Sequence, residues 1–304
     1  MKTFVKVLVV LAMVAVVSPV NAFDEIWVAV QGNSPGIVRL DPTTHAVIDF
    51  STAGNLGAPR GMEYDFVNNV MYVTAYTNGV AAFKPDGTFL NYKYTGNLTG
   101  NPGSFAWDVA MDDTYVYVGQ FNGPLHRFLK DGTPAGAQIG SLHSPNNGFG
   151  SGGLAYLDGK LYVSSTSSSS LDVYNATTGV YSHSIATSYP SREVETANGK
   201  LYYAQFNGSA LNSINADGTG DTVVLSGGSV FQPQSIAISP DGTEAAMSLL
   251  AQYVREFDML TNSHLPPQYG HPESGVSAVG YTPEPASLAL VGLGGLMLIK
   301  RRRA

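Results

Sequence analysis

One recurrence constrains this chain more than any other feature. Aromatic-centred apolar triplets return at a nearly constant interval: Ile26-Trp27-Val28, Met71-Tyr72-Val73, Val116-Tyr117-Val118, Leu161-Tyr162-Val163 and Leu201-Tyr202-Tyr203, with Glu244-Ala245-Ala246 as a weaker sixth. Their centres lie 45, 45, 45, 40 and 43 residues apart. A period of about 44 residues marks a propeller or a solenoid. The span from Phe23 to Tyr281 has room for six such units.

Each unit carries three further short strands. The next one closes on Leu40, Phe83, Phe128, Tyr174, Ile214 or Phe257, and turn residues such as Asp86-Gly87, Asp131-Gly132, Thr178-Gly179 and Asp217-Gly218 follow it. Asp-Gly between apolar runs signals a hairpin, because glycine takes the positive φ that the turn needs. A third strand follows, as in Val47 to Phe50 or Phe89 to Tyr94. The fourth centres on Met62, Val109, Leu154, Val194, Ile236 and Val276, and leads through Asp158-Gly159, Asn198-Gly199 or Asp241-Gly242 back to the aromatic strand.

Four short antiparallel strands per unit, with no helical period, predict an all-β, six-bladed β-propeller of four-stranded blades. A solenoid fits less well, since its repeats are usually shorter and its ends need capping. If the Met62 strand and its equivalents are innermost, three strands are surplus at the start of the chain and one, Ser274 to Tyr281, at its end. Together these make one blade, so pairing the chain ends closes the ring and leaves no long open edge.

The stretches Gln232-Pro233-Gln234-Ser235-Ile236-Ala237-Ile238-Ser239-Pro240-Asp241-Gly242 and Gly199-Lys200-Leu201-Tyr202 resemble NHL and YVTN-type propeller repeats. The resemblance covers most of residues 23–282. A WD40 assignment is poorer: Trp107-Asp108 occurs once, at the start of an innermost strand, and reads as accidental.

The two ends read as addresses. Lys2 and Lys6, an apolar stretch from Val7 to Val17, Pro19 and then Val20-Asn21-Ala22 form a secretory signal cleaved after Ala22, with a retained N-terminal anchor as the alternative. At the other end stand Pro283-Glu284-Pro285, an apolar run from Ala286 to Ile299, and Lys300-Arg301-Arg302-Arg303. The prolines keep the first part extended, the run is a short hydrophobic helix, and the basic cluster holds its end on the cytoplasmic side. These last residues resemble the PEP-CTERM sorting signal of Gram-negative bacteria. That resemblance implies processing near Pro283, Glu284 and Pro285 by an exosortase, transient membrane insertion of the tail, and a place at the cell surface or in the extracellular matrix. A plain C-terminal anchor is the alternative. The expected organisation is a signal peptide (1–22), a propeller (23–282) and a sorting tail (283–304).

Composition narrows the function classes. Charged residues are 13% of the chain, against about 25% in ordinary soluble domains, and net charge is -7. Apart from the extreme C-terminus no Lys/Arg cluster exists, so the phosphate-neutralising footprint of a nucleic-acid binder is missing. With no cysteine there is no disulfide, thiol catalysis or thiolate metal site. The six histidines are scattered, and neither a zinc-binding nor a nucleophile-elbow motif occurs.

Two places remain where a ligand could sit. Turns after the innermost and third strands are tight and leave little room. Loops after the second and fourth strands share the opposite face, which offers Gln120-Phe121-Asn122-Gly123 and Gln205-Phe206-Asn207-Gly208, with Asn33, Asn78, His143, Asn146, Asn147, Gln232 and His271. Amides beside aromatics can recognise sugars or peptide groups. Alternatively, Asn-Gly only turns the chain and Phe packs between blades.

The second place is the axis. Aligning the innermost strands puts Arg60, Trp107, Gly152, Arg192, Gln234 and Ser274 at one position, and Glu63, Ala110, Ala155, Glu195, Ala237 and Ser277 three residues later. The charged strands are first and fourth of six, so they should face each other across the channel, with Asp108 and Glu193 at the rim. Either internal Arg-Glu bridges offset the desolvation of these charges, or an axial site binds a polar ligand or a divalent cation. No other cofactor is expected. The leading function is a surface or matrix binding module for an exopolysaccharide or a surface protein. The alternatives are a metal-dependent propeller enzyme of lactonase or lyase type, using Glu63, Asp108, Glu193 and Glu195, and a scaffold without a ligand.

Overall fold

The computed structural model describes residues 25–282 except 33–34, 42–43, 45, 53–55, 76–78, 95–104, 122, 136–151, 228–229, 231, 240–241, 250–252 and 271–273. The expected signal peptide and the sorting tail with Pro283, Glu284 and Pro285 lie outside the described residues. No described residue is helical, and no described helix is long and apolar enough to cross a membrane.

The chain folds as a six-bladed β-propeller. Blade one takes β1 (Glu25–Gly32), β2 (Gly36–Leu40) and β3 (Val47–Ser51); blade two takes β4 (Met62–Asp65), β5 (Val70–Thr74), β6 (Val80–Phe83) and β7 (Phe89–Lys93). Blade three shows β8 (Phe105–Met111), β9 (Tyr115–Phe121) and β10 (Leu125–Leu129), and the segment 136–151 that follows lies outside the described residues. Blade four has β11 (Leu154–Leu157), β12 (Lys160–Val163), β13 (Ser170–Asn175) and β14 (Tyr181–Ala186). Blade five has β15 (Ser191–Ala197), β16 (Lys200–Gln205), β17 (Ala210–Asn215) and β18 (Thr222–Ser226). Blade six has β19 (Pro233–Ile238), β20 (Glu244–Leu249), β21 (Tyr253–Asp258) and β22 (Ser263–Gly270), after which β23 (Ser274–Thr282) returns to pair antiparallel with β1 and completes blade one.

Burial follows position in the blade rather than simple alternation. The second strand β5 is buried at every residue, because neighbouring blades cover both faces of its sheet, whereas β3, at the outer edge of blade one, is exposed over Val47 to Phe50. The apolar contacts fall into six clusters, each joining two adjacent blades. Thus Trp27 and Ala29 of blade one pack with Met62, Met71 and Phe83 of blade two, while Ile26 and Val28 pack with Ala237, Ala246 and Val254 of blade six. Six interfaces for six blades mean that the ring is closed. Its turns are as tight as the sequence indicates: Asp158 and Gly159 both have positive φ, at 50° and 75°, as a two-residue hairpin requires.

Register corrects two alignments. In blade six Ala237 pairs with Ala246, so Ala246 and not Ala245 is equivalent to Tyr72, which pairs with Glu63. In blade one Val28 pairs with Val279 and Trp27 with Gly280. The equivalents of Met62 and Glu63 on the last strand are therefore Val279 and Gly280, not Val276 and Ser277. The sequence misleads because β23 is long and irregular, slipping by one residue opposite Ala29 and Val30.

Candidate functional site

The site is set by one irregularity repeated on the innermost strands. Trp107 is an extra residue between the pairs Ala106↔Gln120 and Asp108↔Gly119. Arg192, Gln234 and Ser277 are extra residues at the equivalent points of β15, β19 and β23. A bulge of this kind takes its side chain out of the ladder and re-aims it. In blade two a hydroxyl supports the same bend: Thr74 Oγ1 accepts from the N–H groups of Arg60 at 3.0 Å and Gly61 at 2.9 Å. In blade four Ser164 Oγ accepts from Gly153 N–H at 2.7 Å. Register thus makes six residues equivalent at one level of the ring: Arg60, Trp107, Gly152, Arg192, Gln234 and Ser277, the last replacing Ser274 of the sequence alignment and turned to the Ala29 carbonyl, to which its hydroxyl donates at 3.2 Å.

At this level, on the side of the long loops, opposite blades meet. The Arg60 guanidinium lies 5.0 Å from the centre of the Trp107 ring and that of Arg192 lies 5.7 Å from it, while Phe121 stacks on the same indole at 5.0 Å and 29°. Arg192 makes no hydrogen bond or ion pair among the described residues. Burial, then the charge of Arg60, push its pKa down to about 10, with Glu193 acting the other way. Gln234 turns aside, donating from Nε2 to the Gln232 carbonyl at 3.3 Å.

One residue deeper the side chains point between blades. Asp108 Oδ2 accepts from Leu154 N–H of the next blade at 2.6 Å, and Ser235 Oγ accepts from Val279 N–H at 3.3 Å in the equivalent place. Asp108 is 5% exposed and Glu193 3%, so neither stands at the rim of the axis as the sequence suggested. Gly153 makes this packing possible, since a Cβ there would sit 1.9 Å from Glu193 Oε1. The Asp108 and Glu193 carboxyls are hydrogen-bonded to each other, which requires a proton on one of them. Burial raises Asp108 to about 6 against the downward pull of Glu193 and the backbone N–H groups of Leu154 and Val109. Glu193 is held well above the usual carboxylate range by burial, then by the Asp108 charge and the hydrogen bond to it.

Two residues further, Glu63 and Glu195 occupy the same level as Ala110, Ala155, Ala237 and Gly280. Neither glutamate forms an ion pair with an arginine among the described residues, so the internal Arg-Glu bridges considered from sequence are not formed. The bulge explains this: three residues apart on a bent strand, Arg and Glu reach different levels of the channel. Burial pushes Glu63 up to about 8, helped by Asp108 and Asp65 and opposed by Lys130. Glu195 is raised well above its ordinary value by burial, then by Glu63 and Asp108. Among the described residues no group of three or more His, Asp or Glu side chains is arranged to hold a metal ion.

The loop residues play a different part from the one their composition suggests. Gln120 is buried and its carbonyl accepts from Gly123 N–H at 3.2 Å; Gln205 is buried, its carbonyl accepts from Gly208 N–H at 3.3 Å, and its Nε2 donates to Asn212 Oδ1 at 3.1 Å. Asn207 is the turn residue, with φ at 56°, and Phe206 N–H donates to the Pro190 carbonyl at 2.8 Å. Of these residues only Phe121 joins the axial group. Asn122, Asn33, Asn78, His143, Asn146, Asn147 and His271 lie outside the described residues.

The face of tight turns, expected to leave little room, contains a cavity of about 270 Å³. Its lining runs from Glu63, Tyr64 and Asp65 through the exposed Phe66 and Val67 to Met111, Asp112 and Asp113, with Lys130 and Tyr156 closing it. The space exists because the first turn of blade two is not Asp-Gly but Phe66-Val67-Asn68-Asn69, with positive φ only at Asn69. Two apolar residues in a tight turn were the sequence signal for this cavity.

No protein-family model matches the chain, and no curated protein sequence matches it. Among solved structures, a chain from the nidogen/laminin complex superposes with a TM-score of 0.66 at 12% identity, covering 84% of this chain and 97% of that one. A crystal structure of the computationally designed Ika8 protein gives a TM-score of 0.49 at 12% identity, covering 85% of this chain and 91% of that one. At such identity the likeness is one of fold, and a propeller fold hosts many unrelated functions.

Proposed function

We propose that the chain is an exported binding module of the cell surface or extracellular matrix, and that it engages a polysaccharide or protein through an anionic group at the loop-side mouth of its axis. The observation that carries this reading is the meeting of Arg60 and Arg192 on the face of Trp107. Two like charges brought together at the end of a channel repel, and a bound carboxylate or sulfate would relieve that repulsion. The Phe121 ring, stacked on the indole, adds apolar surface beside the two charges. The rigid closed ring holds these groups in place before the ligand arrives, which lowers the ordering cost of binding. Export rests on the signal-peptide pattern of residues 1–22 and on the PEP-CTERM resemblance of the tail, which also makes an exosortase-type enzyme the processing partner.

Fluorescence provides a direct test, because the chain has two tryptophans and Trp27 is fully buried. Oligogalacturonate should perturb Trp107 emission in a saturable way, while a neutral oligosaccharide of equal length should bind at least about tenfold more weakly. Arg192→Gln should abolish that preference. Equal binding of acidic and neutral chains, or none of either, would overturn the anionic site. For export, intact mass of protein from the native host should fit a chain from Phe23 to the neighbourhood of Pro283; a mature species still containing Lys300 to Ala304 would rule out sorting.

A further inference from the structure

We propose that the cavity on the tight-turn face is a second binding site, selective for an ammonium group carried on an apolar stem. It does not rest on the anionic mouth, from which it is separated along the axis by the Asp108 and Glu193 level.

The carboxyls of the cavity differ in what they already do. Asp65 takes Lys130 at 3.1 Å and accepts from Asn68 Nδ2 at 2.8 Å and from the N–H groups of Val67 and Asn68. Asp112 accepts from Thr114 N–H, Tyr115 N–H and the Tyr117 hydroxyl at 2.6–2.7 Å. Both are committed to holding the turns. Glu63 is not: among the described residues its side chain has neither a hydrogen bond nor an ion pair, and it is part-exposed and lines the cavity. Asp113, at the exposed end, is likewise without a hydrogen bond or ion pair. Burial holds a proton on Glu63 while it has no partner, and an ammonium group beside it favours the ionised carboxylate, so the cation takes that proton's place and binding releases it.

The walls say what else the ligand carries. Phe66 is 50% exposed and Val67 73%, and Phe66 stands edge-on to Tyr64 at 5.1 Å and 87°. On the other side Tyr156 lies parallel to Tyr117 at 6.0 Å. The lining thus combines exposed apolar side chains with the unpaired Glu63 and Asp113 carboxyls, its one cation, Lys130, being paired with Asp65. A small metal ion would leave those walls in water, and would meet a carboxyl set not arranged to coordinate it. The volume, about 270 Å³, holds about nine waters. That suits a side chain of lysine length, whose stem would lie along Phe66, Val67 and Tyr64 and whose charge would reach Glu63, with an aromatic face adding cation–π attraction.

The same chemistry is offered by a free alkylamine and by a lysine side chain of a partner protein. Calorimetry on the purified full chain should use n-hexylamine, n-hexanol, Nα-acetyl-lysine methylamide and calcium chloride as probes. Hexylamine should bind one per chain and hexanol should not. Glu63→Gln should weaken hexylamine by about tenfold or more, and Phe66→Ala by several-fold, while Arg192→Gln leaves it unchanged. Binding of the lysine derivative as tight as that of hexylamine assigns the site to a protein partner; binding of hexylamine alone assigns it to small amines. Either result upholds the site. Because Glu63→Gln could alter packing, its melting curve is compared with that of Phe66→Ala, which leaves the axis untouched. Equal affinity for hexanol, no amine binding, or calcium binding that displaces the amine would overturn the proposal. The Trp107 fluorescence response to oligogalacturonate is read on the same samples, so loss of one site is distinguishable from loss of the other.

Discussion

At the loop-side end of the axis Arg60 and Arg192 share the ring of Trp107, while three residues further along the same strands Glu63 and Glu195 lie near each other and near Asp108. Both levels concentrate like charges delivered by blades two and five. They differ in how the charge is tolerated. A guanidinium cannot readily lose its proton, and an aromatic ring lies against it; a carboxyl has no such surface and holds its proton instead. The axis is therefore cationic at one mouth and largely protonated in its middle, and the same register produces both. Attraction for an anion belongs to the level where charge persists, and pH sensitivity to the level where it does not.

The comparison depends on the ring, and the largest expected effect comes from opening it. Deleting Ser274–Thr282 removes the innermost strand of blade one and leaves β1 without its eight-residue ladder. That variant should aggregate or lose a cooperative melt, whereas truncation after Pro285 should melt like the whole chain. Equal melting of the two would mean that closure does not need β23.

Next in size is Gly153→Ala. A Cβ there would lie 1.9 Å from Glu193 Oε1 and 2.7 Å from the backbone nitrogen of Val194, so side-chain movement alone cannot relieve it. A loss of roughly 1–3 kcal/mol is expected from overpacking of this kind. Gly159→Ala would meet nothing within 4 Å but would carry a φ of 75°, so it separates steric from conformational cost. Denaturant midpoints of the two variants check this.

Much of the fold could be read from the chain because each blade repeats the same strand, and an aromatic such as Tyr117 or Tyr162 must be buried wherever two blades meet. The two misplaced equivalences, Ala245 for Ala246 and Val276 for Val279, arose where that aromatic is missing or the strand is irregular. The charged axial positions were legible because Arg and Glu stand out among Ala and Gly. Their partners were not, since a bulge is invisible to a count of residues: Trp107-Asp108 looked accidental, yet its first residue forms the floor of one site and its second joins two blades. Nor did composition reveal that Gln120 and Gln205 point inward. Polar residues beside Asn-Gly look like loop, and only the strand ends at Phe121 and Gln205 place them in the sheet.

The middle of the axis should announce itself through pH. Folding raises Glu63 to about 8 from a value near 4.5, so between these limits the folded chain holds a proton that the unfolded chain has released. The stability contributed by this level is then fully present below about 4.5 and declines as pH rises toward about 8, with Asp108, Glu193 and Glu195 adding to the same slope. Glu63→Gln cannot ionise and should flatten the profile, gaining on the native chain as pH increases. A melting temperature that rises from pH 5 to 8 at constant ionic strength would contradict the protonated middle level.

The smallest expected effect is at the mouth, and it is sharpened by a second arginine that also lies over a tryptophan. Arg39 is 5.8 Å from the Trp27 ring, but it is bound on every side: two hydrogen bonds to Glu25 at 2.6 and 2.7 Å, and one to the Asp86 carbonyl of blade two at 2.7 Å. Removing it leaves the half-buried Glu25 carboxylate unpaired and one link between blades broken. Arg192 touches Trp107 without any such partner, and its departure would relieve repulsion from Arg60. Arg39→Gln should therefore cost about 1.5–3 kcal/mol, in the range of a charged hydrogen-bonded group. Arg192→Gln should change stability by less than about 0.5 kcal/mol, the lost cation–π attraction and the lost repulsion nearly cancelling. Urea midpoints at pH 7 measure both, and Arg192 is fully charged there because its pKa lies near 10. If Arg192→Gln proved as damaging as Arg39→Gln, the mouth would be a structural clasp like the one at Trp27, and its arginine would not be held in reserve for a ligand.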